Sequence, residues 1–129
     1  MNRYLKIFGL SVVVVLLCLY VGISITIGHQ VRDAVTIAQT SSQGDPVTAL
    51  LAVANSSDAT LEAKNQAIWA LGQLGNSRAL PTLEALVTNE KCDHSLKLCQ
   101  RELEKAIPLC RGERNLGAIV WRHGELASN

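Results

Sequence analysis

No excess of charge of either sign marks this chain: 12 Lys and Arg stand against 11 Asp and Glu. A nucleic-acid binder needs a basic stripe to neutralise phosphates, so no nucleic-acid partner is expected. Also missing are a glycine-rich phosphate loop and a dinucleotide fingerprint. Ser24, Ser41, Ser42, Ser56, Ser57, Ser77, Ser95 and Ser128 fall in an apolar run, in linkers and turns, or in the tail. None occupies a G-x-S-x-G elbow. The acidic residues are scattered at ordinary surface spacing. No catalytic residue and no cofactor is expected, and the chain is not read as an enzyme.

The most telling absence is local. Residues 7–28, IFGLSVVVVLLCLYVGISITIG, contain no charged side chain. At 1.5 Å per residue, this run of about 22 residues spans roughly the 30 Å hydrocarbon core of a bilayer. A secretory signal would have a shorter apolar core and a small-residue cleavage site, and neither is present. Cys18 follows Leu16-Leu17, a poor context for lipid attachment. Residues 1–28 are therefore expected to form an uncleaved, single-pass anchor in contact with the lipid bilayer. Arg3 and Lys6 precede the span, whereas Arg32 after it is offset by Asp33. The positive-inside rule then keeps the N-terminus in the cytoplasm and exports the rest across the plasma (inner) membrane, to the periplasmic or extracellular side.

Beyond the run, Val31, Ala34, Val35 and Ala38 continue a helical stripe towards Gln39. Residues 29–45 read as this extension followed by a polar linker, and residues 46–129 as a helical domain. Asp45-Pro46 is an N-cap followed by a proline at the first helical position. Val47, Leu50, Leu51 and Ala54 give the face of a short helix. The stretch from Lys64 to Val87 then supplies two helices. Ala67, Ile68, Ala70, Leu71 and Leu74 form one stripe, and Leu80, Leu83, Leu86 and Val87 the other. Between them Gly75 suits a left-handed helix end, and Asn76 or Ser77 can cap the second helix.

A further helix is expected from Leu96, with Cys99, Leu103, Ala106, Ile107 and Cys110 on its inner face and Gln100 outside it. Pro108 should end or kink it. Leu116, Ile119, Val120 and Trp121 suggest a last short helix. The expected fold class is all-α, about five helices beyond an N-terminal transmembrane helix.

The residues Ala67, Ala70-Leu71-Gly72, Leu74-Gly75, Ala79, Pro81, Leu83 and Leu86 resemble a HEAT repeat, of the short bacterial kind also found in phycobilin lyases. Asn76 stands where that family usually has Asp. The resemblance implies a short α-solenoid, in which successive second helices line a surface for a protein partner. Here that surface would comprise Thr82, Glu84, Ala85, Thr88 and Asn89, extended by the final helix. The implied function is a membrane-anchored interaction or scaffold module. An accessory subunit of a membrane complex is a further alternative.

In an exporting topology, Cys92, Cys99 and Cys110 meet an oxidising compartment, where three thiols imply one bridge and one left over. Along an unbroken helix, Cys99 and Cys110 would lie about 16 Å apart, beyond the roughly 7 Å a disulfide tolerates. Cys92 with Cys99 is the expected pair, made feasible if Asp93 or Ser95 caps the helix and lets Cys92 fold back. A thiol or metal protein centred on Cys92 and Cys99 is the alternative, with His94 and either Asp93 or Cys110 completing the set. Its spacing matches none of the strong zinc patterns, so no metal ligand is expected. His29 and His123 have no visible partner. An export-dependent reporter fused after Asn129 should be active, and activity of a cytoplasm-only reporter there would reverse the orientation.

Overall fold

The computed structural model describes residues 3–88, 90 and 97–122. Among them every regular element is helical: α1 (Arg3–Ser41), α2 (Pro46–Asn55), α3 (Leu61–Leu74), α4 (Leu80–Ala85) and α5 (Gln100–Cys110). Two 3-10 turns, Ser77–Ala79 and Leu116–Ala118, complete the set. Beyond α1 there are thus four described α-helices, and a 3-10 turn stands where a fifth was expected.

α1 is one uninterrupted helix of 39 residues. Its described residues up to Ile23 are all exposed. From Ser24 onward one face is covered: Ser24, Gly28, Val31, Ala34, Val35 and Ala38 are buried. Their spacing of three and four keeps them on one side of the helix, which packs on α2 and α3. The helix therefore changes surroundings along its length without changing its backbone.

The local signals in the middle of the chain produce the expected ends. Asp45 caps α2 by accepting from the Thr48 N–H. Its carboxylate also accepts from the Arg78 guanidinium at 2.9 Å and 3.0 Å, joining the start of α2 to the turn before α4. That ion pair and the Thr48 bonds hold the Asp45 carboxyl at about 2, below its ordinary 3.8. Thr60 caps α3 through the Ala63 N–H, and Gly75 closes it with φ of 64°, the left-handed conformation that costs a glycine nothing. Asn76 accepts from the Arg78 N–H to open the next turn.

α3 is the centre of the packing, touching α1, α2 and α5. Ile68, Ala70 and Leu71 on it are fully buried. Its approach to α5 is close because Gly72 has no side chain: a Cβ there would stand 2.7 Å from Ala106 Cα. α4 packs on α5, and the Leu116–Ala118 turn packs on α1.

Four expectations change. Of the end or kink expected at Pro108, the end does not occur: α5 continues to Cys110, which lies on the buried face as expected. The proline lies in the last turn, where only one intrahelical bond is lost, and burial of Ala106 and Cys110 offsets it. The helix starts at Gln100, with Cys99 at the N-cap position and no side-chain cap bond from it; Asp93 and Ser95, the caps expected there, lie outside the described residues. Asn65 on α3 accepts the Cys99 N–H at 2.9 Å, a long-range contact that periodicity does not reveal. Val87 lies beyond α4 and is exposed, while Leu83 alone of that stripe is fully buried. In the last segment the expected stripe is split: Trp121 is buried, with Ala118 beside it, whereas Leu116, Ile119 and Val120 face outward.

Leu71 is fully buried on the helix against which α1, α2 and α5 all pack. Leu71→Ala is expected to cost about 2 to 5 kcal/mol. Thermal or denaturant unfolding of the detergent-solubilised chain measures it, and an unchanged midpoint would place the core elsewhere.

Candidate interaction surface

α4 is short for local reasons. A 3-10 turn delivers the chain into it, Pro81 occupies its first turn, and the backbone leaves at Leu86. The groups freed there are taken up by Gln100, a polar side chain buried at the start of α5. Its Oε1 accepts the Thr88 N–H at 2.9 Å and its Nε2 donates to Leu86 O at 3.4 Å. Gln100 was expected on an outer face. It lies inside because these two bonds satisfy its amide there, so that a polar side chain is buried without being left unbonded.

This clamp fixes the outer side of α4. Of the residues expected to form a surface, Glu84, Ala85 and Thr88 are exposed and Thr82 is half-buried. Asn89 lies outside the described residues. Val87, 38% exposed, adds an apolar side chain between them. Glu84 accepts from Arg111 at 2.6 Å, which links α4 to the end of α5. Both partners are open to solvent, so the pair orients the face more than it stabilises it.

A second concavity was not legible in the sequence. A shallow cleft of about 630 Å³ opens between α1, α3 and α5, lined among others by Gln30, Glu62, Asn65, Trp69 and Glu102. Trp69, lying beside the main α3 stripe, is the one hint of it in the sequence. The contribution of α1 depends on tertiary packing that no local pattern carries.

The cysteines fall in three environments. Cys18 is on the exposed part of α1. Cys99 is buried at the start of α5 and Cys110 is buried at its end, and these two are not bridged to each other. Cys92 lies outside the described residues, and the expected Cys92–Cys99 bridge with it. The same holds for Asp93 and His94 of the metal alternative. Cys110 packs with its Sγ 3.4 Å from Leu71 O, and burial pushes its thiol up from 9.0 to about 11. A thiol so poised is a core side chain, since the thiolate is the reactive form.

Arg122 is another residue missed by periodicity. Its guanidinium donates to Gln73 O and lies over Gly75, at the carboxyl end of α3. A cation there satisfies an orphan carbonyl and suits the negative end of the helix dipole. Asn115 Nδ2 donates to Gln73 Oε1 at 2.7 Å, so the segment after α5 is pinned to α3 at two points.

Residues 63–89 match the family model of the PBS lyase HEAT-like repeat. The match covers nearly all of α3, its left-handed end, α4 and the residues Gln100 clamps, so this helical hairpin is a HEAT-like repeat. No curated protein and no solved structure matches the chain.

Cys110 gives a pH-dependent expectation. In the unfolded chain its proton leaves near 9, and in the folded chain near 11. Folding stability should therefore fall as pH rises from 9 to 11, and Cys110→Ser should flatten that dependence. Peptide mapping after alkylation should find Cys110 unmodified in the native protein at pH 8.

Proposed function

We propose that the chain is a membrane-anchored HEAT-like interaction module, whose helical domain presents a small surface to a protein partner on the outer side of the membrane. The observation that carries this reading is the uncovered outer side of α4 and of the residues just after it, where Glu84, Ala85, Val87 and Thr88 stay exposed while Leu83 is fully buried. Helical repeats use such faces for binding. The bare apolar end of α1 supports the anchor, and the basic residues before it support a cytoplasmic N-terminus. A tether compensates for a small contact area by raising the local concentration of the partner. No chemistry is assigned to the domain.

The cleft beside Trp69 favours a second reading, in which the partner inserts between α1, α3 and α5. Aromatic side chains in concave sites are frequent binding anchors, so Trp69 is the residue to test there.

Affinity purification of the full chain from detergent-solubilised membranes separates the two. Ala85→Arg adds a long charge to an exposed position and should leave stability within about 0.5 kcal/mol. It should cut partner recovery by tenfold or more, the cost of blocking a contact worth at least about 1.4 kcal/mol. Undiminished recovery with Ala85→Arg, together with loss in Trp69→Ala, would move the site to the cleft. A Cys92→Ser/Cys99→Ser chain should retain its partner at matched helicity. Stoichiometric zinc in the parent protein, or partner loss in that folded variant, would favour the thiol or metal alternative instead.

A further inference from the structure

Three of the large apolar side chains left bare by the helical domain lie in one five-residue stretch. Leu116 is 61% exposed, Ile119 53% and Val120 40%. Beyond α1, the only other exposed large hydrophobic among the described residues is Val87. Exposed apolar residues scattered singly need no explanation, but a cluster marks a contact. Its position relative to α1 indicates what that contact is.

The stretch runs alongside the part of α1 where the bare apolar end enters the domain. Tyr20 Oη donates to Leu116 O. A Cβ on Gly117 would meet Ile27 Cδ1 at 3.3 Å, and one on Gly28 would stand 2.7 Å from the Trp121 ring. The segment thus lies beside Tyr20 to Gly28, the outer part of the charge-free run at residues 7–28. At 1.5 Å per residue, Leu116 and Gly117 sit between about 1.5 and 12 Å inside the end of that run. Amphipathic segments that lie in a membrane interface reach a depth of about 5 to 10 Å.

Lipid tolerates a non-helical segment only where its backbone groups are satisfied by protein. Several of them are. Leu116 O accepts from Tyr20 Oη and from the Ile119 N–H, Asn115 O accepts the Ala118 N–H, and Ala118 O accepts the Arg122 N–H. The polar side chains at either end turn inward, with Asn115 and Arg122 both bonded to Gln73. What is left facing outward is apolar.

We propose that Leu116, Ile119 and Val120 insert into the bilayer interface beside α1, in the leaflet nearest the domain. This rests on the reading of α1 as a membrane span. The apolar surface of the span continues onto the domain, which stands on the membrane at a second point and cannot turn freely about its anchor. The rotation of the interaction surface relative to the membrane is thereby fixed.

Full chains carrying one added tryptophan test this in phosphatidylcholine vesicles containing acyl-brominated lipid. Val14→Trp reports on the span, and Ile119→Trp on the turn, each read against the emission of the parent chain. Both added signals should be quenched, Val14→Trp by deeply brominated chains and Ile119→Trp by chains brominated near the headgroup. Aqueous iodide should leave both largely unaffected. Quenching of Val14→Trp by bromolipid with quenching of Ile119→Trp by iodide alone would overturn the interfacial contact and keep the span. Absence of bromolipid quenching in Val14→Trp would overturn the span itself, and the contact with it. If Ile119→Trp loses helicity, Val120→Trp reports on the same stretch and is read in the same way.

Discussion

The packing of Val31, Ala34, Val35 and Ala38 against α2 and α3 is the contact on which the rest of the molecule depends. These residues belong to the same unbroken helix as the exposed apolar end. Burying two valines is worth roughly 3 to 6 kcal/mol together. Small domains have only about 5 to 15 kcal/mol of net stability, so the domain cannot give up this helix. On the reading of α1 as a span, the anchor is no tether on a flexible leash but a core element of the domain. Its direction sets the direction of α3, and through α3 that of α4 and α5.

From α3 outward the arrangement follows by close approach and by a few long-range polar contacts. Gly72 lets Ala106 come near enough for α5 to lie flat on α3. Asn65 then receives the Cys99 amide at the start of α5, and Gln100, one residue further on, gathers the chain leaving α4. At the other end Arg122 and Asn115 bring the last described segment back to Gln73. The outer side of α4 is held still by these contacts without being covered by them. A surface for a partner needs that combination, because ordering it on binding would reduce affinity.

What could be read from the sequence was what is decided locally. Asp45-Pro46, Gly75 and Asn76 act on backbone groups within four residues, so their roles follow from spacing alone. The stripe in α1 and that in α3 were legible for a related reason, since both helices are buried on one side. Reading failed where a tertiary neighbour decides. Gln100 is polar and was placed outward, yet it is buried because its bonds to Leu86 and Thr88 satisfy its amide there. Pro108 stays inside a helix because Ala106 and Cys110 on either side are held in the core. Leu116, Ile119, Val120 and Trp121 were read as one stripe of a last helix, yet only Trp121 is buried, and a 3-10 turn takes the helix's place.

The dependence of the domain on α1 can be tested by cooperative unfolding, followed by circular dichroism at the helical band, in two shortened chains. One begins at Ile23, and all the described residues that it lacks are exposed. The other begins at Thr40 and lacks Val31, Ala34, Val35 and Ala38 as well. The expected result is a single cooperative transition for the first chain and none for the second. A cooperative transition at the same midpoint in the chain beginning at Thr40 would contradict the account, because α1 would then be an anchor attached to a domain complete without it.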